Sequence, residues 1–322
     1  MRRISTFVAP LMVAALALAM AAPAATAAEG RKTWKIGFIS WAISHTVPAA
    51  WAKGMQDYCD NFPNISLKVF DGEEKPETQA RLMQDLINQG YDAIILQAAD
   101  AAALASSVEE AEEMGIPVVC INLDTTVPHA GLVQMAGYEA GYLVGEAMAK
   151  QMNGKGKVVI IQGVIGASTA VLRETGFRDA IAKHSGIEIL AAQPADWDKQ
   201  KGMTVMNSFL QAYPQIDGVF GVNDSMAEGA ALAAEAAGRL KGMYIWGDDG
   251  QKDTLAMIED GRMAGTIYTN CFEQGAMSAA LCTYILSSGI DVKDIPNTGV
   301  INMAPVVVTK DNVHNILEKD RW

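Results

Sequence analysis

The side chains in this sequence that could do chemistry stand at the ends of short apolar runs. They are carboxylates, carboxamides, one arginine, one histidine, one serine and two tryptophans. The candidates are Trp41, Ser44, His45, Asp124, Arg173, Trp197, Asn223, Asp249 and Asn270. Carboxylates accept hydrogen bonds from pairs of hydroxyl groups, arginine and amides donate them, and an indole packs on the apolar face of a ring. The set predicts a site for a neutral, polyhydroxylated small molecule.

Each candidate also has a structural interpretation that the sequence leaves open. Asp124 could cap a turn, and Asp249 precedes a glycine and could belong to one. Trp197 could be ordinary packing, and His45 could pack at a hinge. Arg173 could form a surface ion pair with Glu174 or Asp179.

The stretch GVFGVNDSMAEGA at 218–230 changes abruptly from apolar to polar. Asp224 and Ser225 are good N-cap residues for the alanine-rich helix that follows. We therefore expect Asp224 and Ser225 to cap this helix, and Asn223 at the strand tip to face the ligand. Asp248, next to Asp249, is expected to be structural.

Several other chemistries lack their motifs in this chain. There is no GxxxxGK[ST] loop, no GxSxG elbow and no Ser–His–Asp set, so neither a nucleotide cofactor nor catalysis is predicted. The spacings of the cysteines and histidines match no metal motif, so no metal site is predicted. Cys120 lies in the apolar run IPVVCINL and is expected to be a buried thiol, and no disulfide is assigned.

The elements that must position the candidates alternate between strand and helix. Strands are predicted at 35–40, 66–70, 92–97, 117–122, 157–163, 187–192, 217–222, 243–247, 264–269 and 305–309. Helices are predicted at 48–62, 77–89, 101–114, 138–152, 168–184, 200–212, 226–238 and 272–287. Two consecutive βαβ arrays predict an α/β fold with two parallel-sheet domains, each with helices on both faces. Parallel sheets carry ligand sites at the carboxyl ends of their strands, where the candidates lie.

The first 28 residues are predicted to be a cleaved signal peptide. Arg2 and Arg3 precede an uncharged, alanine-rich stretch that ends in small residues. An uncleaved membrane anchor is the alternative, which Pro10 and Pro23 disfavour. We expect the mature protein in the periplasm. The formal net charge of −12 argues against nucleic acid as a partner.

Four motifs make the chain similar to a known family. LDTT, QPADWDKQKGMTVMNSFL, VFGVNDSMAEGA and GDDG resemble the ribose-binding branch of the periplasmic sugar-binding proteins of ABC transporters, in order, from about 33 to 309. This resemblance implies the type I periplasmic binding protein fold, in which two Rossmann-like parallel-sheet lobes joined by a three-strand hinge close on a sugar. It also implies an ABC permease as partner, and we expect a monomer.

The resemblance places crossings between the lobes near 136, 269 and 302. It implies an N-terminal lobe of 29–136 plus 269–302 and a C-terminal lobe of 137–268 plus 303–322. The binding positions that it implies are Asp124, Arg173, Trp197, Asn223 and Asp249.

Three departures from the family pattern argue against ribose itself as the ligand. The first loop reads SHTVPAA instead of carrying asparagines and paired phenylalanines, with Trp41 as the candidate replacement for a lost ring. Thr125 stands where an arginine often follows the aspartate, and Thr269 with Asn270 replaces a hinge glutamine. Another pentose, a hexose or a sugar alcohol is therefore expected. A sensory binding protein for a chemoreceptor or sensor kinase, and an enzyme acting on a small carbohydrate, are the alternative functions.

Overall fold

The computed structural model describes residues 32–295 and 299–322. The predicted signal peptide at 1–28 lies outside these ranges and stays a prediction. Within the described ranges, no helix combines the length and the apolar character that crossing a membrane would require.

The α/β fold class predicted from the alternating pattern is confirmed. The strands are β1 Trp34–Ser40, β2 Ile65–Asp71, β3 Ala93–Leu96, β4 Val118–Ile121, β5 Gly131–Met135, β6 Lys155–Gln162, β7 Gly186–Pro194, β8 Gly218–Gly221, β9 Tyr244–Trp246, β10 Thr266–Tyr268, β11 Gly299–Met303 and β12 Val306–Val308. The helices are α1 Thr46–Cys59, α2 Pro76–Asn88, α3 Ala105–Glu113, α4 Gly137–Gln151, α5 Ser168–Ile181, α6 Lys199–Ala212, α7 Asp224–Ala236, α8 Lys252–Asp260 and α9 Cys271–Ser288. Short 3-10 helices lie at Val292–Asp294, Val313–Asn315 and Glu318–Asp320.

The first sheet has the strand order β11-β5-β4-β3-β1-β2, and all of its pairings are parallel. Every residue of β3 and β4 is buried. Central strands of a parallel sheet are covered by helices on both faces, which explains why these strands are continuous apolar runs rather than alternating ones. The amphipathic helix α2 covers one face with Leu82, Met83 and Leu86.

The second sheet has the order β7-β6-β8-β9, again with parallel pairings. Strands β10 and β12 form a separate antiparallel pair. Parallel bridges from Trp246 to Gly265 and from Asp249 to Tyr268 place β10 beside the end of this sheet. Each of the two main sheets therefore presents a carboxyl edge formed by several strands.

Two late segments of the chain return to the first sheet. Strand β11 pairs with β5. Helix α9 packs across α1, where a side chain at Gly54 or Gly275 would collide with the backbone of the other helix. Glycine at these positions lets the two helix backbones approach closely.

The C-terminus lies beside β10 instead. The main-chain carbonyl of Trp322 accepts a hydrogen bond from the amide of Lys252, and its indole donates to the carbonyl of Thr269. The pairing of β11 with β5 and the position of the C-terminus beside β10 support the lobe boundaries and the crossings near 136, 269 and 302, which remain a proposal.

Three elements were not predicted from the sequence. Strand β5 contains Gly131 and Gln134, so its apolar signal is weak, and it is a strand because it lies between β4 and β11. Strand β11 is partly exposed and depends on the same pairing. Helix α8 has buried Leu255 and Ile258 at helical spacing, a signal that the sequence does contain.

Candidate functional site

A cavity of about 390 Å³ lies where the carboxyl edges of the two sheets face each other. Most of the predicted site residues line it: Trp41, Ser44, His45, Arg173, Trp197, Asn223 and Asp249. Trp41 and Asp249, 208 positions apart in the chain, are thereby brought together, as expected for the ends of parallel strands.

Two of the predicted residues, Asp124 and Asn270, are not among those that line the cavity. Asp124 lies with its carboxylate 3.3 Å from the imidazole of His129. Asn270 caps α9, where its side chain accepts a hydrogen bond from the amide of Glu273. Ligand contact by these two residues stays a prediction.

On the first-sheet side, a buried glutamine fixes the ends of β1 and β3. The side-chain amide of Gln79 donates to the carbonyls of Ser40 and Gln97, at 2.9 and 2.7 Å, and its oxygen accepts from the amide of Ala99. The side chain of Gln97 then accepts from the amide of Trp41 at 2.8 Å. This network positions Trp41 and Gln97 on the cavity wall.

Asn122, which follows β4 directly, takes the place in the lining that the sequence assigned to Asp124. Its φ of 61° is left-handed, a conformation that asparagine tolerates better than most residues. Its side-chain oxygen accepts from the amide of Met135, and its main-chain carbonyl accepts from the hydroxyl of Thr169 at 3.0 Å. The second bond joins the first-sheet edge to α5.

Arg173 is at the centre of the second-sheet side, and only 2% of it is exposed. Its guanidinium donates to the carbonyl of Val222 at 2.9 Å and to the carboxylate of Asp249 at 2.8 Å, and its Nε lies 3.1 Å from the carboxylate of Asp248. The alternative of a surface ion pair with Glu174 or Asp179 is therefore wrong. A buried guanidinium requires such partners, because leaving one charge unpaired costs about 3–5 kcal/mol.

The carboxylates around Arg173 are strongly affected by burial. Burial raises the pKa of Asp248 to about 8, although Arg173 opposes the change, and it also raises the pKa of Asp249. Burial raises the pKa of Asp224 well above its usual value. For Arg173, burial acts to lower the pKa, but Asp248 and Asp249 outweigh it and the pKa is raised. The guanidinium is thus charged at neutral pH, while these carboxyl groups do not all ionise.

The prediction that Asp224 and Ser225 cap α7 is wrong. Asn223 is the cap: its side-chain oxygen accepts from the amide of Met226 at 2.9 Å. Its nitrogen stays at the cavity, 3.4 Å from the carbonyl of Trp197. The buried carboxylate of Asp224 instead accepts from the amides of Gly250 and Gln251, both at 2.7 Å, and thereby fixes the loop that carries Asp249.

Asp249 itself has an unusual backbone conformation, with φ at 150°. Two backbone hydrogen bonds hold it: its amide donates to the carbonyl of Ile267, and its carbonyl accepts from the amide of Thr269. Conformations of this kind persist only where the surroundings enforce them, and they cluster at functional sites.

The indole of Trp197 packs against Gly163 at the end of β6. A Cβ atom at position 163 would lie 2.3 Å from the ring. Trp197 also has a left-handed φ of 65°. The glycine and the turn together place one indole on the second-sheet side of the cavity, while Trp41 supplies another on the first-sheet side.

The cationic side chains in the cavity wall are already paired. Arg173 is held by Asp248 and Asp249, and the ammonium of Lys199 lies 2.8 Å from the carboxylate of Glu228. The imidazole of His45 lies 2.8 Å from Glu74. An anionic ligand would require unpaired cations or a glycine cradle, so the wall suits a neutral ligand with many hydroxyl groups.

Several polar residues of the wall were missed from the sequence: Gln97, Asn122, Thr169, Lys199, Glu228 and Gln251. Gln97 and Asn122 directly follow β3 and β4, so a stricter reading of strand ends would have found them. Glu228 and Gln251 lie beyond the strand tips. Nothing in their local sequence distinguishes them from ordinary helix and loop residues.

Comparisons with known proteins agree with this geometry. A family profile described as a periplasmic binding protein domain matches residues 36–289. The chain is 33% identical over 293 residues to the xylitol-binding protein of Mycolicibacterium smegmatis, covering 90% of this chain and 81% of that protein. It is 30% identical over 286 residues to the ribose import binding protein of Salmonella typhimurium, covering 88% of this chain and 91% of that protein.

Among solved structures, the fold matches that of an ABC transporter solute-binding protein from Bacillus halodurans with bound myo-inositol. The TM-score is 0.83 at 25% identity, over 89% of this chain and 98% of the other. This similarity confirms the predicted type I periplasmic binding protein fold.

Proposed function

The chain belongs to the periplasmic binding protein domain family, and we propose that it is the solute-binding subunit of an ABC importer for a monosaccharide or sugar alcohol. The observation that carries this proposal is the composition of the cavity wall. Three indoles, those of Trp41, Trp51 and Trp197, are combined there with carboxamides and carboxylates, while Arg173 and Lys199 are already paired.

The ligand class follows from what this wall can recognise. Asn122, Asn223 and Gln251 offer both donors and acceptors to hydroxyl groups, and Asp249 offers an acceptor. The relatives are named for xylitol and ribose, and the similar structure holds myo-inositol. These names support a neutral polyol or sugar of five or six carbons as the ligand of this chain.

Calorimetric titration of the mature protein against pentoses, hexoses, pentitols, hexitols and inositols tests the proposal. We expect one member of the panel to bind with a dissociation constant of micromolar or lower, at one site per chain. Sugar phosphates and sugar acids serve as the matched negative set, since the two basic side chains among the described residues of the wall, Arg173 and Lys199, are paired with carboxylates. If no neutral compound binds with a dissociation constant below about 1 mM, the proposal is overturned.

Binding without turnover is also part of the proposal. The relatives named above are binding proteins, which supports it. The ligand found by titration, incubated with the protein and examined by NMR, should be recovered unchanged.

We further propose that the mature chain is a periplasmic monomer that presents its ligand-bound form to a membrane permease. The predicted signal peptide and the family support this location. N-terminal sequencing of protein from the periplasmic fraction should begin near residue 29, and sedimentation should give the mass of one chain. Ligand-dependent stimulation of a reconstituted transporter's ATPase activity would identify the permease.

A further inference from the structure

A second cluster of potential ligand groups lies outside the cavity wall, at the end of β4. It consists of Cys120, Asp124 and His129, whose thiol, carboxylate and imidazole atoms all lie within 4.8 Å of one another. We propose that these three side chains form a binding site for a zinc ion. The order C-x3-D-x4-H along the chain matches no common zinc motif, so the spatial arrangement is the only indication.

The orientation of His129 is the first argument for this site. Its Nδ1 lies 3.0 Å from the main-chain carbonyl of Val127, which can only accept a hydrogen bond, so Nδ1 carries a proton. Its other ring nitrogen, Nε2, is the atom left to bind a metal ion, and it lies 3.3 Å from the carboxylate oxygen of Asp124. Metal-binding histidines in proteins are oriented by this kind of bond from the second ring nitrogen.

The Nε2 atom of His129 and the carboxylate oxygen of Asp124 face each other across 3.3 Å, and a positive charge between them would stabilise this pair. A proton on Nε2 would supply it, as would a metal ion. The thiol of Cys120 favours a metal ion over a proton. A proton shared by His129 and Asp124 would be bound by those two groups alone, whereas zinc takes sulfur, nitrogen and oxygen ligands together.

The distances and the access to solvent suit zinc. Ligand atoms at about 2.0–2.3 Å from a tetrahedral zinc ion are about 3.3–3.8 Å from each other. The three ligand atoms lie within 4.8 Å of one another, so the most distant pair reaches that spacing by an approach of about 1 Å. Cys120 and His129 are buried, whereas the side chain of Asp124 is 41% exposed, which gives the ion a path of entry and leaves a fourth position for water.

A bound ion would connect β4 to the loop that follows it. Asn122, in the middle of the bridged segment, lines the cavity. We therefore expect zinc to stabilise the fold and to hold the first-sheet wall of the cavity, without contacting the ligand itself.

Titration of the chelator-treated full chain with Co²⁺ and with Zn²⁺ tests the site. We expect one ion per chain, a thiolate-to-cobalt charge-transfer absorption that zinc abolishes, and a higher thermal midpoint with zinc. Cobalt binding without the thiolate band would exclude Cys120 as a ligand and overturn the proposal. Absence of zinc binding tighter than about 10 µM would overturn it as well.

Cys120→Ser and His129→Asn should each weaken zinc binding by at least about a hundredfold, more than the loss of a residue that only orients a zinc ligand. Cys282→Ser, another buried cysteine, and His314→Asn, an exposed histidine, are the matched controls and should bind zinc as the natural chain does. If either buried variant fails to fold, Asp124→Asn removes a partly exposed ligand instead. Equal zinc affinity in the variants and their controls would contradict the site.

Discussion

At the scale of single residues, the site depends on side chains that serve two purposes. Asn223 caps α7 with its oxygen and keeps its nitrogen at the cavity. Arg173 neutralises buried carboxylates and lines the wall with the same guanidinium. Mutating such residues changes stability and binding together, so residues with a single role give the cleaner tests.

Trp197 is such a residue, because its indole lines the cavity and is only partly buried. Trp197→Ala should weaken ligand binding at least about tenfold, through loss of the apolar surface on which a sugar face packs. The free energy of unfolding should change little. Titration calorimetry and urea denaturation measure the two effects. Tyr284→Ala removes an exposed aromatic ring on α9 and should leave affinity unchanged; equal affinities in the two variants would contradict the role of Trp197.

Asp248 makes the stability of the protein depend on pH. Burial raises its pKa in the folded state from 3.8 to about 8, so the folded protein holds a proton that the unfolded chain loses. Its contribution is complete below about pH 4 and is lost as pH rises to about 8, with a slope of up to about 1.4 kcal/mol per pH unit.

Asp248→Asn should therefore flatten the decline of the free energy of unfolding between pH 4 and 8. Urea denaturation at several pH values measures the slope. Asp311→Asn, which removes an exposed carboxylate, is the control and should follow the natural protein. Parallel curves for Asp248→Asn and the natural protein would show that Asp248 ionises as freely in the folded chain as in the unfolded one.

At the scale of elements, the strand ends set how the wall is shaped. Gln79 on α2 connects β1 to β3 by hydrogen bonds. Asp224 at the start of α7 holds the loop that follows β9 by accepting a hydrogen bond from the amide of Gly250. Gly163 ends β6 and leaves the space that the indole of Trp197 occupies.

Gly163→Ala should displace this indole while leaving the second sheet intact, because the new methyl group would overlap the ring rather than the backbone. We expect ligand affinity to fall about tenfold or more, with a change in Trp fluorescence. Gly299→Ala is the control, since its added methyl group would meet nothing within 4 Å. Unchanged affinity in Gly163→Ala would show that the position of the ring is not critical.

At the scale of the whole molecule, the bond from the hydroxyl of Thr169 to the carbonyl of Asn122 joins α5, on the second-sheet side, to the edge of the first sheet. In the proposed mechanism, the ligand stabilises the form in which both edges face it, since an open form offers only part of the contacts. Ligand binding should thus reduce the radius of gyration measured by small-angle X-ray scattering.

Thr169→Val should shift the ligand-free protein toward the open form. Loss of one hydrogen bond of about 1 kcal/mol corresponds to about a fivefold change in the equilibrium and in the dissociation constant. Scattering of the ligand-free variant separates this effect from direct ligand contact. Thr283→Val, which removes a hydrogen bond inside α9, is the control. An unchanged ligand-free scattering curve would assign Thr169 to ligand contact alone.

Much of this protein is determined by its sequence alone. Buried parallel strands must be apolar, so short apolar runs between helices predicted the fold class and most elements. Polar residues after those runs predicted the edge that carries the cavity and most candidates in its wall. These inferences succeed because strand and helix signals are local, and because the ends of parallel strands share one edge.

Tertiary structure decided the rest. Asn122 lines the cavity and Asp124 does not, because bonds from Met135 and Thr169 hold Asn122 in a left-handed conformation just after β4. Asn223 caps α7, and Asp224 holds the loop at Gly250 through a contact across 26 positions of the chain. Strands β5 and β11 exist because they pair with each other. The bonds of Asn122 to Met135 and Thr169, the bond of Asp224 to Gly250 and the pairing of β5 with β11 all join residues distant in sequence, and local propensity carries no information about such contacts.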